Sequence, residues 1–149
     1  MKRLFRNATL INEGRSFTAS LLTSGTQIEK IYEGTDSFPE QLLSEVDELV
    51  PAEGLWLLPG CIDDQVHFRE PGLTHKATIE SESQAAIAGG TTSFMEMPNT
   101  KPPTTSLEAW QWKMDRAAET SWANYSFFFG GTNDNADELP RIMQLEVIR

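Results

Sequence analysis

The feature that most constrains this chain is an alternation of strand-like and helix-like segments from about residue 55 onward. Strand patterns occur in "GLWLLPGCIDDQVHF", "TTSFMEMPN" and "ANYSFFFGGT", and helix patterns in "TIESESQAAIAGG", "SLEAWQWKMDRAAET" and "NADELPRIMQLEVIR". The Gly pair at 89 and 90 suits a helix end, and Ser106 suits an N-cap. This order predicts right-handed parallel βαβ units in residues 56–149. Three units are too few for a (β/α)₈ barrel, which takes about 250 residues.

The residues before this region have a different pattern. Short β segments, "RLFRNATLI", "SFTASLLTS" and "QIEKIYEG", are separated by turn residues, so residues 1–55 are predicted to form a small β module. The acidic segment "TDSFPEQLLSEVDELVPAEG" is predicted to be a short helix or an irregular connection that ends at Pro51.

Composition narrows the classes of function. The 149 residues are 39% hydrophobic and carry a formal net charge of −10, which disfavours non-specific binding to nucleic acid or to anionic membrane. No apolar run reaches the roughly 18 residues of a membrane span, and the first residues lack a signal-peptide core. A cytoplasmic protein is therefore expected. Cys61 is the one cysteine, and we expect it to be a small buried residue.

The segment "IDDQVHFREPG", residues 62–72, places polar side chains at every second position. If the strand continues through residue 69, then Asp63, Gln65, His67 and Arg69 share one face. His67 is then either a metal ligand or a hydrogen-bonded structural histidine. Arg69 either binds a carboxylate or phosphate, or pairs with a surface acid such as Glu70.

The second strand ends in "MEMPNTKPP", where Pro98 stops the ladder and Asn99 follows. If the two strands are neighbours, Asn99 lies opposite the Arg69 loop and can donate hydrogen bonds to the same anion. It can equally be a turn-forming residue. Glu96 and Asp64 are expected to lie on the other face or deeper in the strand, and neither is assigned a catalytic role.

Together these residues resemble a known family. "PGCIDDQVHFREPG" at 59–72 and "AAIAGGTTSFMEMPNTKPP" at 85–103, preceded by a small β module, resemble the N-terminal third of the dihydroorotases, metal-dependent (β/α)₈ hydrolases of the amidohydrolase superfamily. The resemblance implies the first part of an incomplete TIM barrel preceded by part of a β-sandwich. The arginine of "HFREPG" separates this family from its allantoinase-like relatives.

The resemblance also implies an activity and a set of roles. The family interconverts N-carbamoyl-L-aspartate and L-dihydroorotate in pyrimidine biosynthesis with one or two zinc ions. His67 matches the second histidine of the family's His-x-His metal pair, and Arg69 and Asn99 match residues that hold the substrate carboxylate. No catalytic acid or base is assigned within this chain, because in the family these groups come from later strands. A homodimer and aspartate transcarbamoylase are the partners considered.

One departure from the family keeps alternatives open. Gln65 stands where the family has its first metal-binding histidine, and an amide oxygen is a weaker zinc donor than an imidazole. A non-catalytic scaffold, for instance for aspartate transcarbamoylase, is therefore one alternative. Another cyclic amidohydrolase, such as an allantoinase or a dihydropyrimidinase, is a second, although Arg69 would find no carboxylate on an uncharged ring.

Overall fold

The computed structural model describes residues 1–143, and the chain divides into two compact units, Met1–Pro59 and Gly60–Arg149. The first unit contains strands β1 (Lys2–Asn12), β2 (Arg15–Ser24) and β3 (Gln27–Glu33), helix α1 (Leu42–Glu45), and strands β4 (Glu48–Pro51) and β5 (Trp56–Leu57). The second contains β6 (Cys61–Val66), α2 (Ile79–Ala88), β7 (Thr91–Glu96), α3 (Leu107–Thr120), β8 (Asn124–Phe127) and α4 (Leu139–Ile142).

The first unit is built on one five-stranded sheet. Strands β3, β2, β1 and β4 lie in that order, and β5 also pairs with β1. The β1–β2 and β2–β3 pairs are antiparallel, whereas β4 and β5 run parallel to β1. Leu4 and Leu22 pack with Leu42 of α1, while Leu10 and Leu21 belong to a separate apolar cluster.

Two short strands of this sheet differ from the predictions. Residues 48–51 form β4 rather than a helix or an irregular connection, although the expected short helix is present as α1. Trp56 and Leu57, expected to begin the first strand of the βα region, instead form β5 beside β1. Segments of four and two residues are too short for a two-residue apolar alternation to identify them.

A polar network lies within the first unit. Asn7 is 5% exposed and has a φ of 57°, at an irregularity in the β1–β2 register. Its Nδ2 donates to Asp36 Oδ1 at 2.9 Å and to Glu53 Oε1 at 3.1 Å. The Arg6 guanidinium donates to both Asp36 oxygens, at 2.7 and 2.8 Å. Hydrogen bonds from Arg6 and then from Asn7 lower the pKa of Asp36 to about 2.

The second unit confirms the predicted parallel βαβ units. Its sheet has the order β6-β7-β8, and both neighbouring pairs are parallel. Ser106 accepts a hydrogen bond from the amide of Ala109, as predicted for an N-cap, and Thr78 caps α2 in the same way. Of the predicted third helical segment, residues 135–138 are not helical, Leu139–Ile142 form α4, and residues 144–149 lie outside the described part of the chain.

Helix α3 packs against the sheet through one stripe of its surface. Its buried residues are Trp110, Lys113, Met114 and Ala117, which have the three- and four-residue spacing of one helix face. The indole Nε1 of Trp110 donates to the Phe127 carbonyl at 3.0 Å. The core between sheet and helices also contains Phe68, Ile79, Phe94, Tyr125 and Phe127.

Two further observations concern single features. The expectation for Cys61 is wrong, since this residue is exposed at the start of β6. Within residues 1–143, no helix has both the length and the apolar character that a membrane span requires.

Candidate functional site

Strand β6 ends earlier than the sequence pattern suggests. It stops at Val66, so His67 and Arg69 lie beyond the strand. The β6–β7 register is also irregular between Asp63 and Val66, and the backbone amide of Gln65 donates to Asp63 Oδ1 at 3.1 Å. The two-residue period is broken, and the prediction that four polar residues share one strand face is wrong. A side chain that bonds the backbone two residues later favours a turn over a regular strand.

The structure nevertheless brings two of the predicted site residues together. His67 follows β6 and Asn99 follows β7, and His67 Nδ1 lies 2.8 Å from Asn99 Oδ1. An amide oxygen only accepts hydrogen bonds, so Nδ1 carries the hydrogen and, in the neutral ring, Nε2 keeps its lone pair. Both side chains are exposed. The contact leaves an imidazole nitrogen and an amide NH₂ available at the carboxyl ends of neighbouring parallel strands.

Arg69 lies at a sharp turn of the backbone. Its φ of 67° is in the left-handed region, and its exposed guanidinium forms no ion pair with residues 1–143. The pairing of Arg69 with Glu70, considered as an alternative, is not observed. Gly72 then has a φ of 92°, and a Cβ at this position would collide with the Lys101 carbonyl oxygen. Only glycine allows the loops after β6 and β7 to approach this closely.

The Glu70 side chain connects the turn to helices α2 and α3. Its side chain is buried, and Oε2 accepts a hydrogen bond from the Ile79 amide at 2.7 Å, at the beginning of α2. Oε1 accepts one from Arg116 Nε of α3 at 2.9 Å. A carboxylate at a helix N-terminus is favourably placed relative to the helix dipole. The residue after Arg69 is thereby tied to both helices.

A buried ion pair lies close to the predicted site, and sequence reasoning missed it. Glu96, the last residue of β7, is fully buried, and its Oε2 lies 2.8 Å from Lys113 Nζ. Burial raises the pKa of Glu96 and lowers that of Lys113, because desolvation disfavours both charged forms. The sequence contained two indications of this pair. Glu96 lies two residues after Phe94 on the buried face of β7, and Lys113 lies in the apolar stripe of α3.

The described residues do not form a metal site by themselves. Within residues 1–143, no three His, Cys, Asp or Glu side chains come together in a way that could hold a metal ion. His67 is a single imidazole, Gln65 is exposed and neutral, and the other histidine, His75, lies in the exposed loop. One imidazole is short of the three or four ligands that zinc takes in proteins.

An apolar cleft of about 460 Å³ lies near the site without including its residues. Its lining comes from the loops after β6 and β7 and from the first half of α3: Pro71, Pro102, Pro103, Thr105, Ser106, Glu108, Ala109 and Trp112. His67, Arg69 and Asn99 do not contribute to it. The cleft is therefore distinct from the candidate site.

Comparison with known proteins places the chain in a family. The family model described as dihydro-orotase-like matches residues 54–145, which include the whole candidate site. The chain belongs to the dihydro-orotase-like family. A dihydroorotase from Wolbachia sp. subsp. Brugia malayi (strain TRS) is 45% identical to this dihydro-orotase-like chain over 109 residues, 73% of the chain and 24% of the relative.

More distant relatives are other cyclic amide hydrolases. An allantoinase from Deinococcus radiodurans is 32% identical over 146 residues, 97% of this dihydro-orotase-like chain and 31% of the relative. The solved L-hydantoinase (dihydropyrimidinase) from Arthrobacter aurescens superposes with a TM-score of 0.83 at 26% identity, over 95% of this chain and 30% of that one. The chain thus spans about a quarter to a third of the length of its relatives.

Proposed function

We propose that this chain forms the first part of a dihydroorotase, which interconverts N-carbamoyl-L-aspartate and L-dihydroorotate. The observation that carries the proposal is the His67–Asn99 contact at the ends of β6 and β7, with Arg69 in the turn that follows. The family match and the 45% identity to a curated dihydroorotase support it. Sites at the carboxyl ends of parallel strands are the rule in βα folds.

Arg69 and Asn99 are proposed to bind the substrate carboxylate. A guanidinium can donate two parallel hydrogen bonds to a carboxylate, and that of Arg69 is free of ion pairs with the described residues. The Oδ1 of Asn99 is occupied by His67, which orients the Nδ2 donors of the same amide away from the imidazole. A chain with a net charge of −10 needs such local donors to hold an anionic substrate.

His67 is proposed as a metal ligand in the complete site. Its Nε2 keeps a lone pair when Nδ1 donates to Asn99, and metal-bound histidines commonly donate their other ring hydrogen in this way. The resemblance implies one or two zinc ions. Since residues 1–143 hold too few donors, further ligands must come from other residues, and no catalytic acid or base is assigned here.

The same proposal covers the architecture and the surroundings of the protein. Residues 1–55 are proposed to be part of a β-sandwich, and residues 56–149 the first three βα units of a TIM barrel. A cytoplasmic location, a homodimer and an association with aspartate transcarbamoylase remain predictions. The acidic charge of the chain argues against nucleic acid as a partner.

The test is hydrolysis of dihydroorotate, with zinc supplied, by the complete translation product of the gene that encodes these residues. Arg69→Ala should lower kcat/KM roughly ten- to 150-fold, because one charge-assisted contact is lost. This factor corresponds to about 1.5–3 kcal/mol of lost transition-state stabilisation. Lys76→Ala, which removes an exposed cation in the same loop, is the matched control and should leave kcat/KM unchanged. An unchanged kcat/KM in Arg69→Ala would remove Arg69 from the site.

One observation favours a second candidate. Gln65 is neutral and exposed where the family has a metal-binding histidine, as expected for a non-catalytic scaffold. If the folded wild-type product fails to hydrolyse dihydroorotate, the scaffold becomes the better explanation. Co-sedimentation with aspartate transcarbamoylase is then the measurement that tests it.

A further inference from the structure

A charge pair is buried at the end of β7 with almost no access to water. Glu96 is 0% exposed, and the Lys113 side chain is 1% exposed. Moving two charges out of water costs several kcal/mol per ion, and the attraction between them often fails to offset that cost. Replacing a buried ion pair with apolar residues of similar volume is often neutral or stabilising, so stability alone does not account for this pair.

The partners of the pair supply one. Glu96 Oε1 accepts a hydrogen bond from the Phe68 amide at 3.2 Å, and Phe68 lies between His67 and Arg69 in the chain. Lys113 Nζ lies 3.4 Å from the Met97 carbonyl oxygen, two residues before Asn99. The pair therefore contacts the backbone of both segments that carry the candidate site residues.

The segment after β6 is also held through a side chain. The ring of Phe68 is 6% exposed, and its centroid lies 4.4 Å from that of Phe94. With its amide bound to Glu96 and its ring packed on β7, Phe68 has a fixed backbone and a fixed side chain. The exposed residues on either side, His67 and Arg69, lie beyond the end of β6, so Phe68 is the anchored residue between them.

We propose that Glu96 is a positioning residue, whose buried carboxylate holds Phe68 so that His67 meets Asn99 and Arg69 keeps its place in the turn that follows. Lys113 neutralises the carboxylate and ties it to the strand end that carries Asn99. The inference rests on the proposed function only in treating these three residues as a site.

Two double variants separate the hydrogen bond from the charge pair. Glu96→Gln with Lys113→Met removes both charges but keeps an oxygen that accepts from the Phe68 amide. Glu96→Met with Lys113→Met removes both charges and the acceptor as well. Both leave a neutral interior of similar volume, which is tolerated better than a lone buried charge.

The measurement is NMR on the complete translation product of the gene that encodes these residues, selectively labelled at His, Asn and Trp. Nuclear Overhauser contacts between the His67 imidazole and the Asn99 side-chain amide report the arrangement, and the Trp110 indole N–H reports the fold. We expect the contacts to persist in the variant with Glu96→Gln and Lys113→Met, called the Gln/Met variant. We expect them to be lost in the variant with Glu96→Met and Lys113→Met, called the Met/Met variant, while the Trp110 signal stays in place. An equal result in the two variants, kept or lost, overturns the proposal.

If the Met/Met variant fails to fold, a backbone ester at Phe68 provides the same test. Replacing Phe68 with phenyllactic acid removes the N–H donor and keeps the ring and the ion pair. Loss of the His67–Asn99 contacts supports the proposal, and their persistence overturns it.

Activity of the complete gene product gives a second readout. The Met/Met variant should lower kcat/KM for dihydroorotate about ten- to hundredfold, as a misplaced binding group does, and the Gln/Met variant should restore most of it. If the wild-type product is inactive, the proposed function fails, while the NMR comparison still decides the role of Glu96.

Discussion

Gly72 is the residue at which the loops after β6 and β7 meet. Its φ of 92° strains any side chain, and a Cβ there would also collide with the Lys101 carbonyl oxygen. Gly90 is a matched control, since it has a φ of 89° and a Cβ added there would meet no atom within 4 Å. The two positions share the backbone conformation and differ in the space available.

Gly72→Ala should therefore cost more than Gly90→Ala. We expect Gly90→Ala to lower the free energy of unfolding by about 1–2 kcal/mol through backbone strain, and Gly72→Ala by about 1–3 kcal/mol more through overpacking. Urea unfolding of both variants measures the difference. Equal losses would show that the loops separate readily at Lys101.

The Asp36 carboxylate makes the stability of the first unit depend on pH in the acidic range. Its folded pKa of about 2 is below the ordinary value of 3.8, so its contribution to stability is fully present above pH 3.8 and is lost as the pH falls towards 2. Asp36→Asn lacks this contribution. The stability difference between wild type and Asp36→Asn should shrink between pH 4 and pH 2 in thermal unfolding experiments, and a constant difference would contradict the assignment.

Sequence reasoning selected His67 and Asn99, which the structure brings into contact, but it missed the groups that surround them. Both follow recognisable strand patterns, so their contact was predictable from parallel pairing. The role of Glu96 depends on the Phe68 amide and on Lys113, which come from distant parts of the chain. A charged residue on a buried strand face signals a partner, but it does not identify which one.

At the scale of elements, α3 is fixed to the sheet by an indole. Trp110 is 2% exposed and donates to the Phe127 carbonyl, whereas Trp112 is 45% exposed. Trp110→Phe should lower the free energy of unfolding by about 1–3 kcal/mol, because the Phe127 carbonyl loses its buried donor. Trp112→Phe should change it by less than about 0.5 kcal/mol. Urea unfolding followed by circular dichroism compares them, and equal effects would refute the anchoring role.

Sequence reasoning predicted the elements whose residue pattern extends over a long segment or is marked by a run of similar residues. Helices α2 and α3 and strand β7 repeat their pattern over enough residues to be recognised, whereas the four-residue β8 is marked by the aromatic run in which it lies. The early end of β6 was unpredictable, because it depends on a register irregularity against β7 and on the Asp63 carboxylate accepting a hydrogen bond from the Gln65 backbone amide. The apolar residues Val66 and Phe68 preserve an apparent alternation through that irregularity.

At the scale of the whole molecule, the two units are expected to open separately. Leu22 is 2% exposed and packs with Leu4 and Leu42 inside the first unit. Leu22→Ala should cost about 2–5 kcal/mol of local stability and speed amide hydrogen exchange in β1, β2 and β3. Exchange in β7 and α3 should keep its wild-type rate, since cooperative units open independently. Acceleration of both sets would show that the chain opens as one unit.

The pairing of β4 and β5 with β1 has a consequence for synthesis. The five strands of this sheet that the structure describes in residues 1–143 all lie within the first 59 residues, and β4 and β5 pair with the first strand, β1. On the ribosome, these strands emerge from the exit tunnel ahead of the βα region and can pair before that region is free to fold, since domains fold in the order in which they emerge. The nascent chain would then carry the paired strands β1–β5 while the segments with His67 and Asn99 have not yet fully emerged.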